Sequence, residues 1–358
     1  MIITPTFTSG FETNFGVNAT AAKASWIAAA KVFTDAFTDD IHINITVDAV
    51  TTPGVFGESF ANFNYSISYA DLFDRVSAYA STRNDAIAIG PGGSMTASDP
   101  TSGLGTWALA RPQAKALGFI PDDMSDDGGT TFGVQHAFTF SGQIAPGTFD
   151  FQGVAAHEIA EVMGRVGLSG GNNSFSLIDN FAYTGAGTKA LFGGAANFFS
   201  IDNGTTLLKQ FNDTSVNHKD TRDWAGGTND AFNQFSGGGV VNPVSAVDLQ
   251  LMDVIGYGSV NPIGSLIETV GHISFLRAHD LGTGYGKAPN YLDVEVIVQL
   301  AEEPLRAFGF QLRADANKTA RTEMFDLLRS AFIAGRPIRL DYLTTGPRAG
   351  EIIRVANP

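Results

Sequence analysis

The chain has 358 residues, no cysteine and a net charge of −14, with 44% hydrophobic and only 16% charged residues. Such a composition excludes a disordered chain, leaves room for two or three domains, and rules out disulfides and thiolate metal sites. Its acidic balance argues against nucleic acid and anionic membranes, and no apolar run reaches membrane-spanning length. In chain order, residues 18–38 read as a helix with Ala22, Trp26, Ala29, Ala30, Phe33 and Phe37 on one stripe. Ile41, Ile43, Ile45 and Val47 then alternate with polar neighbours as a half-buried strand. A second helix starts after Ser68 and runs through Leu72, Phe73, Val76 and Tyr79, and a third covers about 104–117 with Pro112 as a kink. Residues 121–130 form an acidic, turn-rich loop, 131–140 a strand, and Asp150–Arg165 a helix with Asp150 as N-cap and Gly164 near its end.

Beyond that helix, 166–247 reads as loops and short strands, with Asp202-Asn203-Gly204 as a tight hairpin turn. A helix over 245–255 closes this part. The expected domains are 1–258, a linker at 259–266, and a module at 267–358. Residues 265–358 hold 11 Lys+Arg and 11 Asp+Glu, so the whole negative charge falls on residues 1–264. In the module, strands at 270–277, 291–300 and 307–313 precede a helix at 318–334 that Gly335 stops, and strands at 338–343 and 351–355 follow. This β-β-β-α-β-β order predicts a small OB-like barrel with one helix. The fold class expected for the whole chain is α+β.

The chemistry sits in His157-Glu158-Ile159-Ala160-Glu161. On a helix His157 and Glu161 share a face and can grip one ion, while Glu158 projects about 100° away and reaches a water on that ion. The layout is that of the H-E-x-x-H zinc helix with a carboxylate replacing the second histidine; chance produces H-E-x-x-E about once in two hundred chains of this composition. Glu158 is the expected general base and Zn²⁺ the expected ion, with oxygen ligands also admitting Mn or Ca. A third ligand is absent from the longer metzincin position, which here is Gly167. Asp179 is the first choice, since the Gly/Asn-rich loop 167–174 can turn the chain back. His218, with Asp220 and Asp223, is the second choice, and His136 the third. Tyr183 is the candidate to steady an oxyanion. Asp122, Asp123, Asp126 and Asp127 are candidates for a structural Ca²⁺ ion, though without EF-hand spacing.

The blocks VAAHEIAEVMGR, SLIDNFAYTG, FFSIDNGTTLLKQFN, DTRDWAGGTNDAFNQF and VNPVSAVDLQLMDVIGY resemble bacterial exported proteins classed as zincin-like metalloproteases, over about residues 1–258. The resemblance implies a zincin-like domain, zinc at His157 and Glu161, and Glu158 at the reacting centre. The chain departs from the metzincin pattern at Glu161 and Gly167, has no S-x-M-x-Y turn, and carries the 267–358 module where that family has a hydrophobic sorting tail. The expected function is a secreted zinc endopeptidase acting on protein or peptide, although MIITPTFTSG holds no legible secretory signal. The alternative is a catalytically inactive scaffold for surface, glycan or assembly contacts through 267–358. A toxin-like pairing of an enzymatic body with a glycan-binding ring is the third arrangement.

Overall fold

In the computed structural model the chain is described at all residues except 64, 195, 218–219, 260–266, 288–290, 315–316 and 347. It is a mixed α+β protein in two compact units, Met1–Pro262 and Ile263–Pro358. Most of the expected linker at 259–266 lies outside the described residues. Among the described residues, no helix is long and apolar enough to cross a membrane.

The first unit is organised around a four-stranded sheet. Ile2–Phe7 pairs in parallel with His42–Val50, which pairs in parallel with Gly128–Gly133, and Gly57–Ala61 adds antiparallel to Gly128–Gly133 as the edge. The alternation read in the sequence is physical: Ile43, Ile45, Val47 and Ala49 are fully buried while their neighbours are half-exposed. The helix Ala19–Ala36 lays Ala22, Trp26, Ala29 and Phe33 into the core and packs on the motif helix Phe151–Val162. Trp26 anchors it to the sheet by donating from Nε1 to Thr130 Oγ1 at 3.2 Å. Burial of a side chain such as Phe33 contributes about 1.5–3 kcal/mol.

Three expectations need correction here. The third helix is shorter: Thr106–Leu109 is a strand and only Arg111–Ala116 is helical. Pro112 lies in the first turn, where its missing N–H leaves no hydrogen bond unmade, so it starts the helix instead of kinking it. The strand expected at 131–140 is split into Gly128–Gly133 and the short Phe138–Thr139, and the first starts early because the paired glycines that read as a turn are close-approach positions. A Cβ on Gly128 would overlap the Phe60 carbonyl, and one on Gly129 the Phe60 ring. Finally, Asn203 and Gly204 do take left-handed backbone (φ +56° and +76°), but the flanking strands pair only at Phe198–Phe199 with Lys209–Gln210, so the connection is wider than a tight turn.

The acidic loop is drawn into the fold by cations of the chain. Lys115, with a fully buried side chain, donates to Asp127 Oδ2 at 2.8 Å and to the carbonyls of His42 and Asp123. Arg111 pairs with Asp123, Asp122 binds His42 Nδ1 at 2.6 Å, and Asp126 accepts from Thr46 Oγ1 at 3.0 Å.

The second unit is a closed five-stranded barrel. Numbering its strands in chain order, Ile267–Ala278, Val296–Leu300, Ala307–Phe310, Pro337–Gly346 and Ala349–Ala356, the order is 1-2-3-5-4 with the fourth returning to the first. The third and fifth strands are parallel and the other pairs antiparallel. The helix Lys318–Ala334 lies between the third and fourth strands, buries Leu328 and Ala331, and stops at left-handed Gly335 (φ +58°). The second strand begins at Val296 rather than 291, although Leu292 and Val294 are buried in a small side cluster with Ile297.

Lys115→Met should destabilise the protein by about 3–5 kcal/mol in urea unfolding, because Asp127 would keep a buried charge without its closest partner. A loss below 1 kcal/mol would mean the loop does not depend on that pair.

Candidate metal centre

The motif helix owes its position to both ends. Asp150 caps it, accepting from Gln152 N at 3.1 Å and from Asn242 N at 2.9 Å. At the other end Tyr257 donates to the Met163 carbonyl at 2.6 Å, and Gly164 turns the chain at φ +102° against Gln113. Almost every residue of the helix is buried, including Glu158 and Glu161. Charged groups buried this way must find partners.

His157 donates from Nδ1 to the Ala231 carbonyl at 2.8 Å, which fixes the tautomer that turns Nε2 toward the carboxylates. Nε2 lies 3.4 Å from Glu161 Oε1 and 3.5 Å from Asp223 Oδ1. Among the described residues, His157, Glu161 and Asp223 are the group whose ligand atoms converge, all within 4.8 Å of one another. Ligands about 2.0–2.1 Å from a tetrahedral zinc would stand about 3.3–3.4 Å apart, so the two histidine–carboxylate spacings fit a shared ion. Ser59, on the edge strand, donates to Glu161 Oε2 at 2.7 Å. Arg165 reaches Asp223 Oδ1 at 2.7 Å and Glu161 Oε1 at 3.4 Å, with its guanidinium over the Phe232 ring.

The electrostatics follow from this crowding. Burial is the largest influence on His157 and lowers its pKa, but the Asp223 and Glu161 charges and the Glu161 hydrogen bond together outweigh burial and Arg165 and lift it to about 10. Burial would raise Glu161, yet the His157 charge and hydrogen bond, Arg165 and Ser59 hold it at about 2. Glu158 is pushed well up by burial and by the Glu161 charge. Burial also raises Asp223, against the pull of His157 and Arg165. Glu158 lies against the edge strand: a Cβ on Gly57 would overlap its Oε1 and stand 2.8 Å from Val154 Cγ1. The strand against Glu158 is therefore Gly57–Ala61.

The first-choice third ligand is not brought to the group. Asp179 is buried in its own network, accepting from Ser169 N and Ser176 N at 2.9 Å each and pairing with Arg222 Nε at 2.8 Å. Asp223 is the carboxylate that joins His157 and Glu161 instead. Arg222 and Asp223 are consecutive, and the chain sends the first to Asp179 and the second to His157. Asp179 thus holds the segment that carries Asp223 and lies outside the converging group. His218 lies outside the described residues, and Asp220 is exposed. His136 packs edge-on against Phe56, ring centroids 4.9 Å apart, outside the converging group. Tyr183 is fully buried, donates to the Ser94 carbonyl at 3.2 Å and stacks under Lys189, with its hydroxyl pushed up to about 12 by burial.

Arg165 and Ser59 were not singled out from sequence. Arg165 had a signal, being four residues beyond Glu161 in the stretch that reads as helical from sequence. Ser59 had none, because its contact spans 102 residues. Comparison of the chain with family models, curated proteins and solved structures finds no match.

Two outcomes follow. Asp179→Ala should cost about 3–5 kcal/mol of unfolding free energy by leaving Arg222 buried and unpaired; an unchanged stability would refute the positioning role. In metal-free protein, the raised His157 pKa contributes stability that is full below pH 6.5 and lost as pH rises through about 10, while Glu161 contributes above pH 4.5 and loses it as pH falls through about 2. The stability gap between wild type and His157→Gln in urea should therefore be widest between pH 4.5 and 6.5 and close toward pH 10.

Proposed function

We propose that this protein is a secreted zinc-dependent endopeptidase with a zincin-like first unit, in which His157, Glu161 and Asp223 hold the ion and Glu158 is the general base. The observation that carries the reading is the convergence of ligand atoms from His157 and Glu161, on the buried helix that also bears Glu158, with that of Asp223 from a loop. Zinc held there supplies Lewis acidity and makes a neighbouring water more acidic, and two carboxylate ligands temper both effects. The chain's own groups do the rest. Glu158 accepts and returns the proton at its carboxylate, and burial with the Glu161 charge pushes its pKa up, which makes it a stronger base. Ser59 and Arg165 orient the Glu161 carboxylate. Gly57–Ala61 ends the sheet, so its outer edge can receive an extended peptide through main-chain hydrogen bonds. The barrel's strand order and single helix support an OB-type module for the second unit, with a glycan or a second copy of the chain as its partner.

One observation favours a second reading, an inactive scaffold. His157 and Arg165, both positive, balance Glu161 and Asp223 without an ion when Glu158 is protonated. The cluster then serves to hold helix and loop together.

Metal analysis separates the two. Protein purified without chelator should carry about one zinc per chain, and Asp223→Ala should lose it. Glu158→Gln should keep the zinc while peptide hydrolysis falls by about 10²-fold or more. Zinc uptake at pH 7 should release about one proton, because Nε2 of His157 must give up its own. A metal-free protein whose Glu158→Gln variant behaves as wild type would establish the scaffold reading.

A further inference from the structure

The loop that brings Asp223 to His157 is fastened at its other side by a second set of buried ionisable groups, which the proposed peptidase chemistry does not use. Trp224, next to Asp223 in the chain, is fully buried and donates from Nε1 to Asp248 Oδ1 at 2.7 Å. Asp248 sits in the first turn of the helix Ala246–Val254, where its other oxygen accepts from Ser245 N at 2.8 Å. Both donors are neutral. Asp230 reaches the same place from later in the loop, its carboxyl in hydrogen-bonding contact with that of Asp248. It also accepts from Phe232 N at 2.8 Å and pairs with Lys209, whose ammonium lies 5.3 Å from the centroid of the Trp224 ring.

Asp248 and Asp230 are 0% and 2% exposed. Two carboxylates in contact, away from water and with one lysine between them, repel each other strongly when both are ionised. A single proton held by the pair turns that repulsion into a hydrogen bond. No second positive charge relieves it. Arg165 feels the Asp248 charge but is engaged by Asp223 and Glu161. The helix Arg83–Ile89 packs on Ala246–Val254, and its acid Asp85 acts on Asp253 near the other end. Burial and then the Asp230 charge push Asp248 up to about 7, so the pair keeps its proton in acid and gives it up near neutrality. This folded value lies above the ordinary 3.8, so the pair weakens the fold progressively from there to about pH 7 and no further beyond.

We propose that Asp230 and Asp248 form a proton-operated latch. With one proton between them they fasten the segment 223–233 to the helix Ala246–Val254. Release of that proton to solvent sets two negative charges against each other and loosens the segment. The segment carries Asp223 and the Ala231 carbonyl that holds His157 Nδ1, so the latch governs how firmly the His157 group is assembled. Neither acid belongs to that group, and the latch works with or without an ion there, so it does not rest on the peptidase reading.

Nuclear magnetic resonance on the chelator-treated full chain tests it through the indole N–H groups and backbone hydrogen exchange. The Trp224 indole resonance is expected to titrate with a midpoint near pH 7, while that of Trp26, which donates to Thr130, stays fixed. Across the same midpoint, protection should fall about tenfold or more at the Trp224 amide, bonded to the Phe232 carbonyl, and at the Ala231 amide, bonded to that of Pro243. Asp248→Asn should abolish the titration and keep the segment protected on both sides of neutrality. Asp230→Asn should lower the midpoint by about one pH unit or more, a tenfold change in proton affinity, and serves if the first variant does not fold. A Trp224 resonance fixed between pH 5 and 9, a titration surviving in Asp248→Asn, a midpoint unmoved in Asp230→Asn, or a titration with unchanged protection over 223–233 would each overturn the latch.

Discussion

The structure of the first unit turns on the burial of five ionisable side chains at one helix, His157, Glu158, Glu161, Arg165 and Asp223. Placing that many charges away from water is tolerable only if each has partners in fixed positions. That requirement reaches far along the chain. It recruits Ser59 from the edge strand, the Ala231 carbonyl from a loop, and Asp223 from a segment itself held by the Arg222–Asp179 pair.

The same arrangement serves two roles that are usually separate. Arg165 and His157 offset the carboxylates and so hold helix, strand and loop together. The histidine and two of those carboxylates also present their atoms at spacings suited to an ion. A metal and the Nε2 proton compete for one lone pair, so occupancy is tied to pH. Glycine makes the closeness attainable: Gly57 lets the edge strand touch Glu158, and Gly128 and Gly129 let Phe60 lie over the sheet.

Periodicity made much of this legible in advance. The strand through Ile43, Ile45 and Val47, the Trp26 helix, the Asp150-capped helix with its His157–Glu161 face, and the β-β-β-α-β-β order of the barrel all follow from local spacing, since side-chain direction repeats every 2 or 3.6 residues. What local spacing does not encode is which distant segment arrives at a site. Asp179 and Asp223 look alike in sequence, each an aspartate in a loop beyond the motif helix; only the packing sends Arg222 to one and His157 to the other. The paired glycines of Gly128–Gly133 read as a turn for the same reason, because the ring that needs their missing side chains is Phe60, brought there by antiparallel pairing of the edge strand. Sequence alone determined the helix face that carries His157 and Glu161. Tertiary structure decided the third carboxylate of the group, its arginine contact and its neighbouring strand, because these are set by the pairing of buried charge across more than fifty residues of chain.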